Sequence, residues 1–372
     1  MNFDLVERIA AAVLYEGYIL YPYRPSAVKN QQRWNFGALC PRSYSEAQRG
    51  TEAWTMQTEC LVEGTEKTSL DIKVRFLHLL TREVNAANAD CGLRIADCSD
   101  DEIKSSVSDS DFSLVASLEV NGKLYQTWQE AVERDVQLPS INLSETLSQA
   151  RRLVFAFPSS RELELLRDEG SGQLLGVVSR RQQAIEGAIE VTAERVGEDA
   201  FKINIRILNE TPFEDADEKS RDEALMRSFV STHTILGVRD GEFVSLLDPP
   251  LRHREAAALC HNQGTYPVLV GEEGTRDCML SSPIILYDYP QIAPESAGEL
   301  FDGTEIDEIL TLRIMTLTDE EKREMRGADE RARQILERTE TLPAEQLMKM
   351  HGAMKSLRPK ETGKGQTAGN NE

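Results

Sequence analysis

The chain has 372 residues, 42 of them basic and 63 acidic, which gives a net charge of −21. Hydrophobic residues make up 40% of the chain, enough apolar material for a buried core, so a wholly disordered protein is excluded. The surplus of negative charge argues against binding to nucleic acid or to an anionic membrane surface.

The N-terminal residues do not resemble a secretory signal, because Asp4 and Glu7 come first and Glu16 interrupts the apolar positions. No stretch reaches the roughly 18 apolar residues that a membrane-spanning helix needs. Six cysteines in a long chain of this kind are typical of reduced thiols rather than of a disulfide framework. The sequence therefore predicts a cytoplasmic protein.

The first half of the chain shows one helical pattern followed by strand patterns. Apolar residues at helical spacing predict a helix over residues 3–15. Alternating apolar residues predict strands at 54–62, 71–80 and 112–120. Asn121-Gly122 then predicts a hairpin turn. Residues 129–136 fit a strand or a helix equally well, and we interpret 99–111 as an exposed loop and 140–148 as a linker.

The second half repeats the strand patterns. They predict strands at residues 152–157, 174–179, 185–196, 201–208, 229–238, 243–247, 268–270 and 283–287. Asp240-Gly241 predicts a second hairpin turn. Residues 72–77 resemble residues 203–208, which indicates either two related units or simply two amphipathic strands.

The last quarter of the chain has helical patterns. Residues 302–305 and 318–321 have the spacing of capping boxes, and the second box opens a predicted helix through Arg338. A final short helix is predicted after Pro343, and residues 359–372 have the composition of a disordered tail.

Together these patterns predict an α+β fold that is mainly β. Two antiparallel β-sandwich-like units are expected, with an N-terminal helix and a helical C-terminal region. The predicted divisions are residues 1–150 (helix and first β unit), 151–300 (second β unit), 301–358 (C-terminal helices) and 359–372 (tail).

Residues 17–45, which we call the basic aromatic segment, contain no acidic residue and carry four basic ones. Guanidinium groups beside aromatic rings suit a carboxylate, a phosphate or an acidic peptide. Alternatively, these cations pair with the protein's own acids and the rings fill its core. The candidate residues for partner or anion binding are Tyr21, Tyr23, Arg24, Lys29, Arg33 and Trp34.

A second candidate site comprises two imidazoles and two thiols, which are ligands that suit a tetrahedral metal ion. A zinc, nickel or iron ion is conceivable there, although the spacing matches no finger or ribbon pattern and no cofactor is predicted. The alternative is ordinary interior thiols and surface histidines. The candidate ligands are His253, Cys260, His261 and Cys278.

Motifs for nucleophilic catalysis are missing from the sequence. It contains neither a G-x-S-x-G elbow nor a G-x-x-x-x-G-K-[ST] nucleotide loop. The remaining possibility is a thiol–imidazole pair between His78 and either Cys40 or Cys60. The separation of these residues in the sequence neither supports nor excludes such a pair.

Three long blocks, at residues 15–37, 45–62 and 281–326, resemble a bacterial protein family encoded beside nickel–iron hydrogenase genes. The resemblance extends over nearly the whole chain except about the last fifteen residues. It implies accessory work in hydrogenase assembly or maturation, with a hydrogenase subunit or maturation factor as the protein partner. The family supplies no catalytic residues to carry over.

Two functional hypotheses follow. The first is a non-catalytic accessory or binding protein that uses the basic aromatic segment. The alternative is a metal-dependent enzyme or metal-handling protein that uses His253, Cys260, His261 and Cys278.

Overall fold

The computed structural model describes residues 3–15, 35–88, 109–291, 314–327 and 330–341. Within these ranges the protein is mainly β, with an N-terminal helix and C-terminal helices, which confirms the predicted fold class. The strands are β1 (Thr55–Ala87), β2 (Phe112–Val115), β3 (Ser117–Val120), β4 (Lys123–Gln126), β5 (Trp128–Asn142), β6 (Arg151–Phe157), β7 (Ser160–Arg167), β8 (Leu174–Gln182), β9 (Ile185–Arg195), β10 (Ala200–Asn209), β11 (Val230–Val244), β12 (Tyr266–Leu269) and β13 (Cys278–Ser282). The helices are α1 (Phe3–Leu14), α2 (Arg42–Ala47), α3 (Leu143–Ser148), α4 (Arg221–Leu225), α5 (Arg254–Ala258), α6 (Asp319–Gly327) and α7 (Glu330–Thr341).

Strand β1 is 33 residues long and organises an 11-stranded antiparallel sheet. Its first part pairs with β10 and β11, its middle with β5 and β11, and its last part with β2, β5 and β8. Strands of both predicted β units therefore join one sheet through β1. The main order is β12-β13-β11-β1-β10-β9-β6, and β3 and β4 form a separate hairpin.

The main core lies beneath β1 and contains a cluster of phenylalanine rings. Phe76 of β1 lies 4.7 Å from Phe229 between ring centroids, and Phe155 lies 5.4 Å from Phe229. Phe157 completes the cluster at 6.1 Å from both Phe76 and Phe155. Tilted and edge-on contacts of this kind add to the free energy gained from burial alone.

The terminal helices contact different strands. Helix α1 buries Val6, Ile9 and Ala10 against β11, β12 and β13. Helix α6 begins with the predicted capping box, in which Thr318 Oγ1 accepts from the Glu321 backbone N–H and the Glu321 carboxylate accepts from the Thr318 N–H. It ends at Gly327, whose carbonyl accepts a hydrogen bond from buried Arg82 of β1.

The predicted turn at Asn121-Gly122 is confirmed as the β3–β4 hairpin, with positive φ at both residues. The second predicted turn, at Asp240-Gly241, is wrong. Strand β11 continues through it because Phe243 and Val244 keep pairing with β1. Asp240 instead faces a bulge at residues 65–68 of β1.

Two other sequence interpretations are wrong. The predicted linker 140–148 completes β5 and forms α3, whose Leu143 and Leu147 pack on the core. The last predicted strand, 283–287, is replaced by β13, because the Ser282 hydroxyl accepts from the Ile284 N–H in a turn and Pro283 has no N–H to donate. Residues 128–142 form a strand, which decides between the two readings of 129–136.

Candidate functional site

The six residues predicted to bind a partner or an anion lie outside the described residues. The described flanks of that segment nevertheless meet in one region. Tyr15, which follows α1, packs in a cluster with Leu225 and Met226. On the other side, Phe36 accepts a backbone hydrogen bond from Ser231.

Further along the basic aromatic segment, Tyr44 is buried and meets the ring of Phe213 edge-on, with 6.2 Å between centroids. Arg42, the basic residue of this segment that the structure describes, stacks over Trp54 and pairs with Glu46. Arg42 thus fits the alternative in which the cations of the segment pair with the protein's own acids. Both described flanks therefore contact the region formed by residues 213–231.

That region contains a pocket of about 510 Å³. It lies between the end of β8, the loop after β10 and helix α4. Apolar, cationic and anionic side chains all contribute to its wall. The lining residues are Gln183, Pro212, Phe213, Glu214, Asp215, Lys219, Glu223, Met226 and Arg227.

Half-buried Arg227 is the notable group in this pocket. Its Nη2 donates to Gln183 Oε1 at 3.0 Å, and its guanidinium carbon lies 5.7 Å from the centre of the Phe213 ring. Among the described residues no carboxylate pairs with Arg227, although acidic side chains line the same pocket. A neutral amide and an aromatic face therefore hold a full positive charge whose remaining N–H donors suit a carboxylate.

The acidic residues of the pocket differ in how fully the protein's own groups bind their carboxylates. Glu223 caps α4, and hydrogen bonds from the Ser220 backbone and hydroxyl, with a further one from Lys219, lower the pKa of Glu223 to about 2. Glu214 and Asp215 are exposed at the rim. The pocket can thus hold a carboxylate at Arg227 and attract a cation at the rim. Phe213 and Met226 supply the apolar wall.

Three of the four candidate metal-ligand side chains make other contacts, and His261 is held through its backbone. His253 is buried, and its Nε2 lies 2.7 Å from Glu63 Oε1. Cys278 is buried in β13 and belongs to the cluster that packs on α1. The backbone N–H of His261 donates to Glu59 Oε2 at 2.8 Å.

Cys260 follows α5 and its thiol donates to the Ala256 carbonyl at 3.7 Å, while burial raises the pKa of Cys260 to about 11. In the described ranges no three His, Cys, Asp or Glu residues are placed to hold a metal ion. The four predicted ligands therefore form no such group.

The proposed thiol–imidazole pair lacks the electrostatics it needs. Burial raises the pKa of both Cys40 and Cys60, and burial lowers the pKa of His78 to about 4. A reactive pair requires a thiolate beside an imidazolium, which are the two forms that these shifts disfavour.

Sequence reasoning missed one buried serine–histidine contact, between His233 Nε2 and Ser282 Oγ at 3.1 Å. The two residues lie 49 positions apart on adjacent strands, so no local spacing signals the contact. His233 Nδ1 donates to the Ser231 carbonyl rather than to a carboxylate. Both side chains are fully buried, so this pair is built as a structural link rather than as a nucleophile and base.

A comparison with protein-family models finds no match, and a comparison with curated proteins finds no significantly similar sequence. In the part of the chain that the structure describes, none of the helices is both long enough and apolar enough to cross a membrane.

Proposed function

We propose that this chain is a non-catalytic binding protein whose Arg227 pocket receives a carboxylate of a protein partner. The observation that carries the proposal is the guanidinium of Arg227, held by Gln183 and Phe213 and paired with no described carboxylate. In a chain of net charge −21, a half-buried cation without an internal acid is a site prepared for an external one.

The position of the basic aromatic segment supports this assignment. Tyr44 contacts Phe213, and Tyr15 packs on the same buried cluster as Met226; both Phe213 and Met226 line the pocket. A partner bound at Arg227 therefore lies beside Tyr44, in the described part of the basic aromatic segment.

The acidic residues at the rim of the pocket restrict the kind of peptide segment that can bind there. Glu214 and Asp215 repel a purely acidic peptide, so the bound segment combines a carboxylate with a nearby lysine or arginine. The carboxylate pairs with Arg227 and the cation with the rim. Phe213 and Met226 take an apolar side chain between the two.

The state of the nucleophilic groups supports binding over catalysis. The described cysteines with a shifted pKa are held as neutral thiols, and the pKa values of His78 and His233 are lowered to about 4 by burial. A buried neutral thiol is a poor nucleophile, and an imidazole with a pKa near 4 is a weak base near pH 7.

The finer proposal is an accessory role in nickel–iron hydrogenase assembly in the cytoplasm. It rests on the resemblance of residues 15–37, 45–62 and 281–326 to the family encoded beside those genes. A hydrogenase subunit or maturation factor is then the protein that supplies the carboxylate.

The test is affinity capture of the tagged full chain from cells that express the hydrogenase, with wild type and Arg227→Gln compared by quantitative mass spectrometry. Gln keeps an amide donor for Gln183 and removes the charge. Arg254→Gln is the matched control, because Arg254 is an exposed arginine of α5, which contributes no residue to the pocket.

We expect wild type and Arg254→Gln to enrich a hydrogenase subunit or maturation factor, and Arg227→Gln to lose it. Enrichment of another partner that is lost with Arg227→Gln would keep the binding site and overturn the hydrogenase assignment. Equal enrichment by all three proteins would overturn the site.

A further inference from the structure

The charged groups of the Arg227 pocket lie at different depths. Arg227 is half-buried, whereas Glu214 and Asp215 are exposed. Phe213 and Met226 are half-buried as well, and they supply apolar surface to the wall. A ligand that meets all of these groups therefore has an anion at its inner end, a cation at its outer end and apolar atoms between them.

The acidic groups at the rim are free to meet a cation. In the described part of the chain, neither Glu214 nor Asp215 has a side-chain hydrogen bond or an ion pair. Lys219 is already paired with Glu223 at 3.2 Å, so this pair adds no net charge to the pocket. The two free carboxylates thus outnumber the free cation of Arg227, which favours a ligand that brings one positive charge of its own.

The size of the pocket limits how much of a partner it takes. Its volume of about 510 Å³ lies in the range of sites for small ligands. An internal peptide segment that reaches Arg227 must enter and leave through the opening, and it must order a separate acidic and a separate basic side chain. A chain end enters once, and a C-terminal lysine or arginine carries both charges on one residue.

We propose that the pocket receives the C-terminal residue of a protein partner and that this residue is a lysine or an arginine. The inference rests on the proposed role of Arg227 and names the source of the carboxylate that Arg227 binds. The α-carboxylate pairs with the Arg227 guanidinium. The aliphatic stem of the same residue lies on Phe213 and Met226, and its charged head reaches Glu214 and Asp215 in the solvent-exposed rim.

The test is fluorescence anisotropy of the full chain with labelled hexapeptides. The reference peptide is AAAAAK with a free α-carboxylate, and it is compared with its C-terminal amide and with AAAAAL. We expect the amide to bind at least about tenfold more weakly, because it loses a charged hydrogen bond. The leucine peptide should bind about threefold more weakly, since the ion pair at the exposed rim contributes less.

A variant of the rim separates the two ends of the ligand. Glu214→Gln combined with Asp215→Asn should abolish the preference for lysine over leucine and keep the dependence on a free carboxylate. Asparagine is tolerated at the positive φ of Asp215, so this change adds no backbone strain. Glu198→Gln is the matched control, because Glu198 is exposed and lies outside the pocket. Circular dichroism establishes that each variant folds.

Three results would overturn the inference. The first is equal binding of the free acid and its amide, and the second is no binding of AAAAAK up to about 1 mM. The third is tighter binding of AAEKAA with both ends blocked, lost with Arg227→Gln, which would leave the proposed function standing with an internal segment as ligand. If Arg227→Gln instead binds AAAAAK as wild type does, the proposed site fails together with this inference.

Discussion

At the scale of the residue, His233 shows how the fold fixes a protonation state. The Ser231 carbonyl can only accept, so Nδ1 carries the proton. Nε2 of the neutral ring then accepts from the Ser282 hydroxyl. Burial, with a smaller contribution from Arg75, lowers the pKa of His233 to about 4. A buried imidazole that links β11 and β13 in this way stabilises the fold only while it is neutral.

This state predicts an acid-dependent loss of stability. The unfolded chain takes up protons at His78 and His233 below about pH 6.5, whereas the folded chain resists them until its lowered pKa values near 4. Their contribution is therefore complete above pH 6.5 and is lost as pH falls towards 4. Each histidine adds up to about 1.4 kcal/mol per pH unit to the slope of the free energy of unfolding.

Urea unfolding between pH 7 and pH 4 measures this slope. His233→Asn removes the ionisable ring, so its slope should be smaller than that of wild type. Identical slopes for wild type and His233→Asn would contradict the assignment.

At the scale of the element, the packing of β9 against its neighbours depends on Gly187. A Cβ atom at this position would lie 2.6 Å from the Phe229 ring and 2.7 Å from both the Leu208 carbonyl and the Phe155 ring. Strand β9 can therefore approach the phenylalanine cluster only because this residue has no side chain.

Gly187→Ala should lower the free energy of unfolding by about 1–3 kcal/mol, since the added methyl overpacks the core. Chemical denaturation measures the loss. Gly170→Ala is the control, because a Cβ there meets only Asp168 at 3.5 Å, an ordinary contact. Equal stability of both variants would show that β9 tolerates the extra volume.

The capping box of α6 is a second element-scale feature. Thr318→Ala removes the acceptor for the Glu321 N–H and should destabilise the helix by about 1 kcal/mol. Faster hydrogen exchange of the α6 amides is the expected readout. Thr341→Ala, at the other end of α7, should leave the exchange of α6 unchanged because its hydroxyl donates to carbonyls of α7. An unchanged α6 in Thr318→Ala would contradict the role of the box.

Local signals of this kind made parts of the fold predictable. The capping box, the Asn121-Gly122 hairpin and the apolar stripe of α1 each depend on residues close in sequence. Other features depend on distant partners. Asp240-Gly241 resembles a turn, yet the Thr68 hydroxyl of β1 donates to the Asp240 carbonyl at 2.6 Å and β11 continues past it.

At the scale of the whole molecule, β1 replaces the two predicted strands at 54–62 and 71–80. Gly64 and residues 65–68 read as a break in the pattern, but they form a bulge within a continuous strand. The number of strands that one strand pairs with along its length is a property of the assembled sheet. The alternation of apolar residues therefore predicts the two strands, but it does not predict that they form one continuous strand.

The candidate pocket was not predicted for a related reason. Gln183, Phe213 and Arg227 come from three separate connecting segments, and none belongs to a motif. The net charge of the chain provides one useful indication of where a binding site lies. A chain with a large acidic surplus offers internal partners to most of its cations, so a cation without one is informative once the contacts are known.

The most direct test of the central claim is the dissociation constant of the captured partner for wild type, Arg227→Lys and Arg227→Gln, measured by isothermal titration calorimetry. A charged hydrogen bond contributes about 1.5–3 kcal/mol, so Arg227→Gln should weaken binding by at least about tenfold. Arg227→Lys keeps the charge but loses the planar guanidinium group, so its dissociation constant should lie between those of wild type and Arg227→Gln. The same dissociation constant for all three proteins would contradict the claim that Arg227 receives the carboxylate of the partner.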